Sequence, residues 1–205
     1  MTTRKVALIT GASSDIGLAV SKMCLSKGVN VAAHAFKNSQ NLECLCAMAD
    51  GQQTTLRQYQ GDLTKHTNAQ KLVDDVVKDF GRVDILINTI GPFYYRDIFC
   101  VTPDQWSEAI NLNLNVNYFV THYATEQLKK TKGHILFFGF SGSQSFKAWP
   151  MSADYCAAKA GITVLVKSLA ARLAKEGVRV NAVCPGLIET KDTPTKERQD
   201  MANQV

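Results

Sequence analysis

The 205-residue chain is predicted to fold as an α/β protein, a doubly wound parallel sheet with helices on both faces. Three observations predict it. Strand-like and helix-like segments alternate from one end to the other. Several strand segments, such as Val83–Ile87 and Ile135–Phe138, are nearly continuous apolar runs, as strands buried on both faces require. Glycines stand just after two helical segments, at Gly81 and Gly177, where a left-handed cap is wanted.

The elements follow in order. Val6–Thr10 is an apolar first strand, and a short turn leads into helical spacing over Asp15–Ser26. A second strand, Val29–Ala35, precedes a helix over Ser39–Ala49, and a third, Thr54–Gln60, precedes Thr67–Phe80. The fourth strand, Val83–Asn88, leads to a long helix over Thr102–Thr131. Thr102-Pro103-Asp104 opens that helix with a hydroxyl N-cap and a proline at the first helical position. A fifth strand covers His134–Phe140. In the helix Ala153–Lys175, Ala157, Ala160, Gly161, Val164, Leu165, Ser168, Leu169 and Arg172 recur at three- and four-residue steps. Arg179–Cys184 is the sixth strand. Right-handed crossovers make such a sheet parallel, and its ligands bind at the carboxyl ends of the strands. No linker, repeat or composition break interrupts the chain, so one domain spans residues 1–205.

Composition narrows the function. The chain is 45% hydrophobic and 20% charged, with a formal charge of +5. Lys and Arg are scattered, with no run longer than Lys129-Lys130, which speaks against a nucleic-acid stripe. No stretch reaches the ~18 apolar residues of a membrane span, and the amino-terminal residues enter a strand without the apolar segment of a secretion signal. The six cysteines lack metal-ligand spacing, so no metal site and a reduced, cytoplasmic protein are expected.

Two patterns carry chemistry. The first is Thr10-Gly11-Ala12-Ser13-Ser14-Asp15-Ile16-Gly17, a glycine-containing turn between strand and helix. The helix amides and dipole there suit an anion, Gly11 permits the tight exit, and Gly17 lets the helix pack closely. Alone, it also fits an ordinary strand-to-helix turn. The second is Tyr155-Cys156-Ala157-Ala158-Lys159, a phenol and an ammonium four residues apart on one helix face. A cation nearby makes a phenol a better proton donor and acceptor near neutrality; alone, the pair also fits a solvated helix face.

Together these resemble the short-chain dehydrogenase/reductase family, and further landmarks match in order. Gly61-Asp62-Leu63-Thr64 resembles the stretch whose Asp contacts adenine. Asn88-Thr89-Ile90-Gly91 is similar to the family's Asn-Asn-Ala-Gly. Trp106, followed by Asn113-Leu114, resembles the helix bearing the catalytic asparagine. Asn181-Ala182-Val183-Cys184-Pro185-Gly186 is similar to the strand and turn beside the nicotinamide. The resemblance implies a Rossmann-type sheet and hydride transfer between a nicotinamide cofactor and a carbonyl or secondary alcohol. The nearest kind is the 3-oxoacyl-thioester (acyl-carrier-protein) reductases.

By resemblance, Tyr155 is the general acid or base, Lys159 lowers its pKa and binds the nicotinamide ribose, and Asn113 holds a relay water. The cofactor-binding set is Thr10, Gly11, Ser13, Ser14, Asp15, Ile16, Gly17, Lys37, Asp62, Leu63, Asn88, Gly91, Tyr155, Lys159, Pro185, Gly186, Ile188 and Thr190. The second strand ends without an acid to hold the adenine ribose, and Lys37 follows it, with Asn38 and Ser39 beside it; NADP(H) is therefore favoured over NAD(H).

The chain departs from the family pattern in three places. Asp15 replaces the middle glycine of the loop, and as an N-cap or first-turn residue pointing away it leaves the cradle working. The active-site serine window reads Phe138-Gly139-Phe140-Ser141-Gly142-Ser143: counting from the strand reaches Phe140, and counting back from Tyr155 reaches Gly142. Ser141 is the candidate and Ser143 the second. Finally, the chain stops where another helix and a seventh strand are expected. This leaves six strands and an exposed sixth-strand edge, which a homo-oligomer would cover. Aromatic residues in Gly91–Tyr95, with Phe146 and Trp149, are candidates for an apolar substrate pocket or for plain packing. The alternative to an enzyme is a shortened, non-catalytic homologue that binds a nucleotide or a partner.

Overall fold

The computed structural model describes residues 4–37, 40–143, 145, 147–186 and 188. Six strands form one parallel sheet: β1 (Val6–Thr10), β2 (Asn30–Ala35), β3 (Leu56–Gln60), β4 (Ile85–Asn88), β5 (His134–Phe138) and β6 (Arg179–Val183). Their order is β3-β2-β1-β4-β5-β6, with every neighbouring pair parallel. The chain winds outward from β1 to β3, then returns and winds outward again from β4. The strand order reverses between β1 and β4, and that switch point opens a crevice at their carboxyl ends.

The helices α1 (Asp15–Ser26), α2 (Glu43–Gly51), α3 (His66–Phe80), α4 (Pro103–Ile110), α5 (Val116–Thr131) and α6 (Ala153–Leu173) cover the two faces. Alternation along β1 divides the core. Val6 and Leu8 join the cluster built with α3, α5 and α6, while Ala7 and Ile9 join that of α1 and α2. Asp84 is the one acid in the fourth strand's apolar run. Its carboxylate accepts the Val6 amide at 2.9 Å and two bonds from Arg82, at 2.8 and 2.6 Å, so the buried charge is fully engaged.

Punctuation reads through to structure. Gly81 and Gly177 have φ of +75° and close α3 and the turn after α6. Thr102 opens α4 with a reciprocal capping box to Gln105. The long helix expected over Thr102–Thr131 instead contains a π turn, Asn111–Asn115, between α4 and α5. The strands expected at Val29, Thr54 and Val83 begin one or two residues later. The fifth ends at Phe138 rather than Phe140.

Among the described residues β6 is an edge strand, and no helix is long and apolar enough to cross a membrane. The expectation of a missing seventh strand concerns residues outside those described.

Candidate active site

The first βα turn is fixed by two backbone requirements. Gly11 has φ of +68°, a left-handed conformation that glycine adopts at no cost. At Gly17 a Cβ would stand 2.2 Å from Gly11 O and 2.7 Å from Ala12 Cα, so α1 rests directly on the loop backbone. Ser14 is the N-cap: its hydroxyl accepts the Gly17 amide at 3.1 Å and donates to Gly11 O at 2.8 Å. Asp15 falls in the first helical turn, where a carboxylate suits the dipole. Ser13, Ser14, Asp15 and Ile16 line one end of a cavity of about 1610 Å³ that continues to Tyr155. A helix N-terminus over a glycine cradle fits a pyrophosphate. Gly17→Ala must lift α1 off the loop. We expect it to cost about 1–3 kcal/mol and to abolish any rise in melting temperature caused by a dinucleotide, measured by thermal unfolding with and without the cofactor.

The cavity wall near β2 and β3 includes His34, Phe36, Asp62 and Leu63. His34 is buried against Gly61 O at 3.0 Å, and burial lowers its imidazole to about 4, so the ring is neutral. Asp62 accepts the Thr64 amide and hydroxyl at 3.0 and 2.6 Å, and the hydroxyl bond chiefly holds its carboxyl below the usual range. Lys37 does not line the cavity; its ammonium lies 4.9 Å over the Phe36 ring, which does. Asn38 and Ser39 lie outside the described residues. Thr10 and Asn88 are buried beneath the cavity. Thr10 O takes the Thr89 hydroxyl at 2.6 Å, and Asn88 Nδ2 donates to Thr121 at 3.2 Å.

Asn113, Lys159 and the backbone after β4 meet at Gly91. A Cβ there would fall 2.5 Å from Lys159 Nζ and 2.7 Å from Asn113 Oδ1, so both side chains pack on the glycine. Asn113 sits in the π turn, a feature frequent at functional sites. Its Nδ2 donates to Pro92 O at 3.1 Å, while its fully buried Oδ1 has no hydrogen-bond partner among the described residues. A buried oxygen left this way fits a water or a ligand donor.

Lys159 is buried, donates to Phe138 O at 2.8 Å, and is lowered by burial to about 8. Its ammonium is 5.7 Å from the Tyr155 ring centroid. Here the structure differs from the expectation that Lys159 depresses the phenol. In the protein alone burial dominates and pushes Tyr155 above its ordinary range, and the neighbouring thiols Cys156 and Cys184 act in the same direction.

Beyond β5 the strand pairing continues irregularly. Gly139 N donates to Val183 O at 2.9 Å and Ser141 N to Pro185 O at 2.8 Å. This puts Ser141 on the cavity wall with Pro185, Gly186 and Ile188. Ser143 instead meets Cys184 Sγ at 3.6 Å. Phe140 packs against the phenol, with its ring centroid 5.8 Å from that of Tyr155. Thr190 and Phe146 lie outside the described residues.

Sequence reasoning missed three contributors. Lys22 is a cation on the cavity wall, and the spacing Asp15, Leu18, Lys22 along one helix face would have found it. Asn41 donates to Ser13 O at 3.1 Å, tying the loop to the segment before α2. Arg96 pairs with Asp154, which is fully buried, through Nε at 2.9 Å and Nη2 at 2.6 Å. The other Asp154 oxygen accepts the Tyr155 amide at 2.8 Å. With the two partners 58 positions apart in the chain, no local signal announces this pair.

Comparison with known proteins gives the same picture. The family model described as short chain dehydrogenase matches residues 5–201. The chain is 33% identical over 210 residues to the 3-oxoacyl-(acyl-carrier-protein) reductase FabG of Thermotoga maritima, covering 98% of this chain and 82% of that protein. It is 32% identical over 188 residues to the acetoacetyl-CoA reductase of Paracoccus denitrificans, covering 91% and 75%. A protein of Burkholderia cenocepacia described as a dehydrogenase, solved with bound NADP, superposes with a TM-score of 0.89 at 24% identity, covering 98% and 76%. At that identity the likeness speaks for the fold.

Proposed function

Because this chain belongs to the short-chain dehydrogenase family, a family of nicotinamide-dependent oxidoreductases, we propose that it is an NADP(H)-dependent reductase of a carbonyl compound, or the reverse oxidase of a secondary alcohol. The observation that carries the proposal is that Asn113 and Lys159 meet at Gly91, with the Lys159 ammonium 5.7 Å from the ring of Tyr155, on a cavity that reaches the glycine turn. When bound, the nicotinamide supplies or accepts the hydride.

The chain's own residues do the rest. Tyr155 gives its phenolic proton to the developing alkoxide. Lys159 holds the ribose and offers a positive charge near Tyr155, and Asn113 Oδ1 anchors a water through which the phenol is reprotonated. Ser141 orients the carbonyl. The cradle of Gly11, Ser13, Ser14, Ile16 and Gly17 takes the pyrophosphate, and Asp62 and Leu63 flank the adenine. The absence of an acid at the end of β2, with Lys22 on the cavity wall, supports NADP(H). The names of the two relatives make acetoacetyl coenzyme A the first thioester to assay.

One observation favours the second reading, a nucleotide binder without turnover: the Phe140 ring packs against the Tyr155 ring, and Phe140 holds the position that counting from the fifth strand assigns to the active-site hydroxyl. The deciding experiment is thermal unfolding with NADPH and with NADH, followed by turnover of acetoacetyl coenzyme A and simple ketones. A cofactor at one hundred times its dissociation constant adds about 2.7 kcal/mol, or several degrees. A rise with NADPH, a smaller one with NADH, and cofactor-dependent turnover are expected. A rise without turnover of any substrate would favour the binder, and a cooperative melt that neither cofactor moves would sink both readings.

A further inference from the structure

We infer that the substrate side of the cavity is an aryl slot, taking a carbonyl compound whose carbonyl carbon bears a planar aromatic group. This rests on the reductase reading above and narrows it. The Tyr155 ring is flanked by two others: Phe93 lies 5.0 Å away at 84°, and Phe140 lies 5.8 Å away at 62°. Trp149 stands edge-to-face on Phe140 at 5.4 Å and 78°, and all four rings line the cavity.

The indole is built into this wall. Gly142 has φ of +98°, which disfavours a side chain, and a Cβ there would come within 2.9 Å of Trp149 Cζ2. One glycine therefore makes the turn and seats the ring. Phe140 stands where counting from the end of the fifth strand led to the expected hydroxyl. A carbonyl delivered to Tyr155 thus has aromatic surface on either side of it.

A planar ring gains edge and face contacts with Phe93, Phe140 and Trp149 that a thicker saturated ring of the same size forfeits. At the α4 side, Asp104 and Glu108 bring two carboxylates to the same cavity. They oppose a polyanionic carrier such as a coenzyme A thioester. Turnover adds hydride to the carbonyl carbon and the Tyr155 proton to its oxygen, with the reduced nicotinamide oxidised.

The test compares acetophenone, cyclohexyl methyl ketone and acetoacetyl coenzyme A as substrates with NADPH. It adds saturation-transfer NMR of acetylnaphthalene on the same protein. We expect acetophenone to exceed its saturated counterpart in kcat/KM by about ten-fold or more, and to exceed the thioester as well. Trp149→Ala removes that preference and the NMR signal but keeps the cofactor-induced rise in melting temperature, which shows the variant is folded. Trp149→Phe retains most of the preference. Equal rates for the two ketones, or a thioester preference, would overturn the slot and leave the reductase standing. If nothing is turned over, an acetylnaphthalene signal lost in Trp149→Ala upholds the slot while the reductase reading falls. No turnover and no signal would end both.

Discussion

Tyr155→Phe is expected to lower turnover by about 10²–10⁴-fold while the NADPH-induced rise in melting temperature persists. The substitution keeps the ring that Phe93 and Phe140 contact at 5.0 and 5.8 Å, so the packing is preserved and only the hydroxyl is lost. The pH profile makes the test sharper. Burial holds the phenol protonated through neutral pH, so it is supplied as an acid and reduction needs no prior ionisation. Reduction should therefore be level with pH until Lys159 gives up its proton at about 8, and then decline. Oxidation needs the phenolate, which becomes more populated as pH rises, so its rate should climb over the same range. Steady-state rates in both directions across pH check this. If Tyr155→Phe keeps its rate, or oxidation is favoured by acid, Tyr155 is not the proton donor.

The opposite pKa shifts of Tyr155 and Lys159 have one origin. Both groups are buried, and burial disfavours whichever form is charged. Lys159 donates a hydrogen bond to Phe138 O, and its ammonium lies 5.7 Å from the phenol ring centroid. A ligand whose ribose hydroxyls reach Lys159, and whose oxidised ring brings positive charge near Tyr155, would reverse that balance.

How far the sequence reveals this depends on how local each signal is. β1 and α1 have the bounds read from sequence, because an apolar run, a glycine turn and the start of helical spacing are adjacent in the chain. The same holds for the N-cap at Thr102 and the left-handed caps at Gly81 and Gly177. The π turn at Asn111–Asn115 was not legible. Asn-Leu-Asn-Leu-Asn alternates with the period of a strand, and only packing against Gly91 and Pro92 decides that Asn113 turns inward. The end of β5 was read two residues long because Phe140 continues the apolar pattern. Gly139 ends the regular strand, since a side chain there would come within 2.8 Å of Cys184 Sγ. Lys37 looked like a phosphate reader by position, yet its side chain lies on Phe36, outside the cavity wall that Lys22 lines.

Arg96→Met is expected to destabilise the protein by about 3–5 kcal/mol, because it leaves the fully buried Asp154 carboxylate without its counter-ion. At this chain length each kcal/mol moves the melting temperature by about 2–4 °C, so the loss is on the order of 10 °C. Asp154→Asn should cost less. An amide still accepts the Tyr155 amide proton, and the Arg96 side chain it releases is 18% exposed and reaches water. The double variant should be more stable than the sum of the single losses predicts, since neither charge is then stranded.

The pair also links the loop after β4 to the start of α6. Arg96 N donates to Met151 O at 2.7 Å and Ile98 N to Pro150 O at 2.8 Å, so the loop after β4 is tied to the segment that opens α6. Slack there moves Tyr155 relative to Asn113, and a displacement near 1 Å costs up to about a hundredfold in rate. Arg96→Met should therefore lower kcat while leaving the cofactor KM and the cofactor-induced thermal shift nearly unchanged, and Asp154→Asn should keep most of the rate. Denaturant melts and steady-state rates for the three variants separate the two roles. A stability loss with kcat intact would make the pair a staple alone. An additive cycle would mean that Arg96 and Asp154 do not act together.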